Sequence, residues 1–188
     1  MKISKTLYVT NRVAWRRWLT KEGKREKEIW LIYYKKSSGN PRIPYNDAVE
    51  EALCFGWIDS TVKAIDEERF AQRFTPRKPT SILSRMNRER VRKLIDEKRM
   101  TQTGLDAIAH AFDPGENENF TIAKDIIAAI KKDRLAWMNF QQLPERYKRI
   151  RIDYIERLRC HRKEAFWNSL RYFIKMTAKN KRFGLITE

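Results

Sequence analysis

The ten residues EALCFGWIDS, 51–60, decide the fold, because a helix end, a glycine and a strand start fall within them. They also raise a question of chemistry, since an acid, a cysteine and an aspartate surround one glycine. Upstream, PYNDAVEEALCFG sets Tyr45, Ala48, Val49, Ala52 and Leu53 at i, i+3, i+4, i+7 and i+8, which predicts a helix with one apolar face. Asp47, Glu50 and Glu51 are expected toward the positive end of its dipole, and Gly56 is its natural C-terminal glycine. Beyond it, WIDSTVKAI and ERFAQRFTP, joined at Asp66, Glu67 and Glu68, predict a β-hairpin that ends at Pro76. Cys54 then lies at the negative end of the dipole between Leu53 and Phe55, surroundings that suit a buried apolar thiol better than a nucleophile. The stretch reads as the joint between helix and strand; an enzyme using Cys54 as nucleophile is the alternative.

The same reading extends outward. Asn11 can cap a helix carrying Ala14, Trp15, Trp18 and Leu19, with Gly23 as its stop. EIWLIYYKK, 28–36, is apolar on both alternating faces and predicts a central strand. Ser84 can cap a helix with Val91, Leu94 and Ile95 inward, and Thr101 or Thr103 opens another through Leu105, Ile108, Ala109 and Phe112. DPGENENF, 113–120, breaks the pattern and reads as a linker. Everything after it is helical in period: Ile122 to Ile130, Leu135 to Phe140, Tyr147 to Leu158, and Phe166 to Thr177 with a stop near Gly184. The expected architecture is α+β, a small antiparallel-containing sheet with packed helices over residues 1–112. A linker, 113–120, and an all-helical domain, 121–188, follow.

The chain has 188 residues, 41% of them hydrophobic, enough for a core without staples. Cys54 and Cys160 are its two cysteines, so there is no disulfide framework, and no Cys/His spacing suits zinc. His110 and His161 stand apart from any second ligand, and no metal or cofactor is expected. The first twenty residues carry charges where a signal peptide needs an apolar run, and no stretch reaches the length of a membrane span. The expectation is a soluble, cytoplasmic protein. A formal charge of +17, concentrated in residues 76–100 and 145–188, attracts phosphate-rich partners without specifying sequence.

Two groups of cations are candidate binding residues. Strand alternation puts Arg73 on one face of the hairpin and Asp59, Thr61 and Lys63 on one face of its partner strand, with Arg77 at the end. Asp59, Lys63, Arg73 and Arg77 are therefore the candidate site for an anionic small molecule or protein partner, the arginines binding in bidentate fashion. The alternative is non-specific nucleic-acid binding by a row of helix cations, Arg85, Arg88, Arg92 and Arg99. No nucleotide-binding or hydrolase motif is present.

The runs EIWLIYYKKSSG, IPYNDAVEEALCFGWIDS, ERFAQRFTPRKPTS and SRMNRERVRKLIDEKRMTQTG together resemble the YdeI family, also called OmpD-associated (OmdA-like) or bacteriocin-protection proteins. NFQQLPERYKRIRIDYI is similar in layout to that family's C-terminal domain. The resemblance implies no established reaction, only a link to stress or bacteriocin resistance. It places Glu51, Cys54, Trp57, Asp59, Arg73, Thr75, Pro76, Arg77 and Asn87 on the family pattern.

Overall fold

A computed structural model describes residues 2–113, 115 and 120–185. They form two compact units, residues 1–83 with 90–112, and residues 84–89 with 113–188.

The first unit is α+β. Its elements are β1 (Thr6–Tyr8), α1 (Arg12–Glu22), β2 (Ile29–Tyr34), α2 (Tyr45–Cys54), β3 (Trp57–Ala64), β4 (Arg69–Pro76), most of α3 (Arg85–Asp96), and α4 (Gln102–Ile108). The strands make one mixed sheet in the order β1-β2-β4-β3, with β1 parallel to β2 and the other pairs antiparallel. β1 is absent from the sequence reading because three residues are too few to show alternation. Both faces of β2 are buried, as its unbroken apolar run requires: Ile29, Leu31 and Tyr33 on one side, Trp30 on the other.

The first of those faces packs with Trp57 and Phe74 against Trp15 and Leu19 of α1, Ala48, Ala52 and Leu53 of α2, and Val91 and Leu94 of α3. Trp15 stacks on Trp18, and Trp18 meets Trp57 edge-on. The indole N–H groups of Trp15 and Trp57 donate to the carbonyls of Ala48 (3.0 Å) and Gly23 (3.2 Å), so neither ring is buried with an unpaired donor.

Helix ends follow the expected chemistry in most cases. Asn11 accepts from the Ala14 amide at 2.9 Å, Ser84 from the Asn87 amide at 3.3 Å, and Thr101, not Thr103, from the Gly104 amide at 3.2 Å. Two ends differ. α4 stops at Ile108, short of Phe112, and Ile95 of α3 is exposed where it was expected inward.

The second unit contains α5 (Lys124–Lys131), α6 (Arg134–Gln142), α7 (Glu145–His161) and α8 (Lys163–Ala178) around Ile126, Ile130, Phe140, Tyr147, Ile155, Phe166, Leu170 and Phe173. α8 stops at Ala178, earlier than the expected end near Gly184. Residues 84–89 group here because Glu89 receives a bidentate pair from Arg149 (2.7 and 3.0 Å) and Arg85 lies over the Phe120 ring. Of the expected linker, residues 114 and 116–119 lie outside the described residues, as does the side chain of His161. No helix among the described residues is long and apolar enough to cross a membrane.

Candidate functional site

The hairpin does not bring Asp59, Lys63, Arg73 and Arg77 together. Asp59 pairs with Phe74 and Val62 with Gln72, so three steps along β3 oppose two along β4 and one residue is extra. This bulge reverses the alternation that the sequence reading assumed. Asp59 therefore shares the face of Phe74 and Gln72, while Lys63, opposite Ala71, shares the other face with Arg73. Arg73 is occupied by Glu28, its Nε at 2.6 Å from the carboxylate. Arg77, 8% exposed, donates to the carbonyls of Ser81 (3.3 Å) and Ile82 (3.0 Å), and burial lowers the pKa of its guanidinium. It braces the 78–82 loop.

The helix-borne row is kept in part. Arg85 is 8% exposed, Arg92 covers the Phe112 ring at 5.3 Å, and Arg99 lies beyond the end of α3, after Lys98 has turned the chain through a positive φ of 54°. Arg85, Arg88 and Arg92, at i, i+3 and i+7, share one face of α3, and Arg99 stands off that helix.

Cys54 is fully buried at the end of α2. Burial pushes its thiol up to about 11, the neighbouring Glu51 adds to the shift, and Arg16 offsets part of it. At neutral pH only about one such thiol in ten thousand is ionised. The expected result of alkylation at pH 7 is rapid labelling of the exposed Cys160, with Cys54 at least about a hundredfold slower. Comparable rates by mass spectrometry would restore Cys54 as a nucleophile.

A dense polar cluster of the first unit lies elsewhere, between α1, α2 and the segment after α3. Glu51, 1% exposed, is met by Arg12 at 3.5 Å, Arg16 at 2.7 Å, and Arg99. Arg12 also holds Asp47 (2.6 Å) and Glu50 (2.9 Å), Arg99 holds Glu97 (2.9 Å), and Arg16 donates to the Arg99 carbonyl (3.0 Å). Burial works against the charge on Arg12 and Arg16, but hydrogen bonds to these carboxylates outweigh it and hold both guanidiniums above their ordinary pKa. Glu50 and Glu51 thus sit in the second half of α2, compensated by arginines and not by the helix dipole.

Arg12 and Arg16, four apart, share one face of α1, the spacing that could have flagged the cluster from sequence. Arg99 is 48 residues from Glu51 and gave no such signal. With Arg17 and Lys98, the three arginines line a groove of about 560 Å³ whose floor includes Glu51. A guanidinium has five N–H donors and a carboxylate engages two of them, so a buttressed arginine keeps donors for a second acceptor.

A family model described as a domain of unknown function (DUF8412) matches residues 7–107, over half of the chain. No curated protein and no solved structure matches. The family match overturns the YdeI and OmdA resemblance, for which it gives no support. The motif that carried it, EALCFGWIDS, is what a helix–glycine–strand joint asks of any sequence: an apolar last turn, a glycine at φ 74°, and an aromatic strand start.

Proposed function

The chain belongs to the DUF8412 family, and for it we propose a binding role without catalysis, an anionic ligand being held along the arginine groove. The observation that carries this is the convergence of Arg12, Arg16 and Arg99 on one buried carboxylate. Glu51 fixes three long side chains that would otherwise each lose rotamer entropy on binding, so the donors are ordered before a ligand arrives. Arg17 and Lys98 at the rim add two exposed charges. The lining carries five cations and one carboxylate, and Asp47, Glu50 and Glu97 engage Arg12 and Arg99 from outside it. The donors left over suit a compact anion with several oxygens, such as a phosphate or a di- or tricarboxylate.

The test leaves the buried network intact and removes the rim. In isothermal titration against phosphate, pyrophosphate and citrate, the double variant Arg17→Ala, Lys98→Ala is expected to bind at least about tenfold more weakly than the parent. Its unfolding free energy should stay within about 0.5 kcal/mol, as for other exposed positions. Parent binding should also weaken with added salt, because the groove is open to solvent. Equal affinities in parent and variant, or no binding of any of the three anions, sinks the proposal. Tight, salt-sensitive binding of duplex DNA unaffected by the variant would instead favour a nucleic-acid role for other cations.

A further inference from the structure

A second pocket of about 470 Å³ opens at the N-terminal end of α2, lined by side chains of opposite charge that do not meet. Asp59 enters it from β3 and Arg42 from the loop before α2, while Tyr33, Tyr45, Phe70 and Gln72 supply the walls. Asp59 is there because of the bulge: without the extra residue its side chain and that of Val62 would point to opposite faces of the sheet. Bulges that re-aim one side chain are common beside binding sites.

Three polar groups of this pocket are underused. Tyr33 is 2% exposed and its ring stacks on Phe70, with centroids 5.2 Å apart and planes 8° from parallel. Its hydroxyl has no hydrogen-bond partner among the described protein atoms. Leaving a buried hydroxyl unpaired is costly, and a native fold keeps such a group where something else completes it. Asp59 accepts one hydrogen bond, from the Tyr45 hydroxyl at 2.7 Å, through Oδ2. Burial and that bond to Asp59 hold the Tyr45 phenol above its ordinary pKa, so it stays protonated and donates. Arg42 spends Nη1 on the Tyr34 carbonyl at 2.9 Å. Among the described residues no carboxylate lies within ion-pair distance of Arg42, and no cationic side chain within that distance of Asp59.

An anion and a cation that line one small pocket without pairing are complementary to a ligand that carries both charges. We propose that this pocket binds an amino-carboxylate zwitterion, of amino-acid to dipeptide size. Its ammonium sits at Asp59, beside the Tyr45 ring, and its carboxylate at Arg42. The aromatic walls favour the ammonium through their ring quadrupoles, and the guanidinium offers the planar donor pair that a carboxylate matches. The Tyr33 hydroxyl and the Gln72 carboxamide face the ligand's remaining polar atoms. Pro44 and Val62 leave an apolar wall for its side chain. The volume lies within the range of small-ligand sites.

This inference is independent of the arginine groove, which shares no lining residue with the pocket. The test titrates the full chain calorimetrically with the standard L-α-amino acids, short dipeptides, and the N-acetyl and carboxamide derivatives of each binder. At least one zwitterion should bind, and blocking either end should weaken it at least about tenfold. In Asp59→Asn the penalty for N-acetylation should disappear, and in Arg42→Gln the penalty for the carboxamide, the coupling that a direct contact requires. Tyr33→Phe separates binding from folding. Without ligand it should be as stable as the parent or more so, having lost an unpaired buried hydroxyl, yet bind more weakly. The proposal is overturned if no zwitterion binds the parent, if the blocked derivatives bind equally well, or if Tyr33→Phe binds like the parent.

Discussion

Replacing Glu51 by alanine is expected to destabilise the first unit by about 3–5 kcal/mol, the largest effect of any single charge in it. The reason is asymmetry. The carboxylate is buried, and Arg12, Arg16 and Arg99 are held beside it; removing it leaves three guanidiniums facing one another with part of their neutralisation gone. Asp47, Glu50 and Glu97 remain on the periphery, which limits the loss but does not replace a group shared by all three arginines. Exposed pairs such as Arg69 with Asp66 are screened by solvent and contribute far less, which sets the contrast. Glu51→Gln, which keeps the shape and loses the charge, should fall between parent and alanine. Urea unfolding followed by tryptophan fluorescence measures both, since Trp15, Trp18 and Trp57 lie in the same core. A loss below about 1 kcal/mol for the alanine variant would mean that the network behaves as a surface feature.

Gly104→Ala should cost about 3 kcal/mol, against the ordinary preference of a helix for alanine over glycine, which is worth about 1 kcal/mol the other way. A Cβ at Gly104 would stand 2.2 Å from the Cys54 carbonyl oxygen and 2.7 Å from its carbon. Those atoms are backbone and they are pinned. The Cys54 oxygen accepts from both the amide (3.0 Å) and the hydroxyl (2.6 Å) of Thr101, so α4 is bolted to the end of α2 by the contact that forbids a side chain there. Gly56 faces the same crossing from the other side, where a Cβ would lie 2.6 Å from that of Ala107. An alanine variant at 104 that unfolds at the same or higher urea concentration than the parent would show that the two helices can separate at little cost.

These two positions mark where sequence reasoning reached and where it stopped. Gly56 was legible, because a glycine after an apolar helical run and before an aromatic strand has a local explanation. Gly104 was not, since its requirement comes from Cys54, fifty residues earlier, and nothing in QTGLDAI announces a helix crossing. The helix over 45–54, the hairpin and the caps at Asn11, Ser84 and Thr101 all rest on contacts within a few residues, and they stand as read. The candidate site rested on strict alternation through Asp59, Thr61 and Lys63. One extra residue in β3 was enough to send Asp59 to the face opposite Lys63 and Arg73. Arg42 was passed over because it sits in an irregular loop, and Glu51 was read as a helix carboxylate near the positive end of the dipole and not as the centre of an arginine cluster. Both become visible only when elements distant in the chain are brought side by side.

The irregularity in β3 has a second consequence, for how the molecule behaves among its own copies. The sheet has two open edges, and β1, with three residues, is too short to template another strand. β3 is the long one, eight residues with its outer half exposed. A flat strand of that length would offer a continuous ladder of unpaired amides and carbonyls to a neighbouring chain. The extra residue between Asp59 and Val62 breaks the ladder's repeat partway along, and the ammonium of Lys63 stands just beyond it. The local distortion that turns a carboxylate into the pocket therefore also guards the sheet's vulnerable margin against intermolecular strand addition.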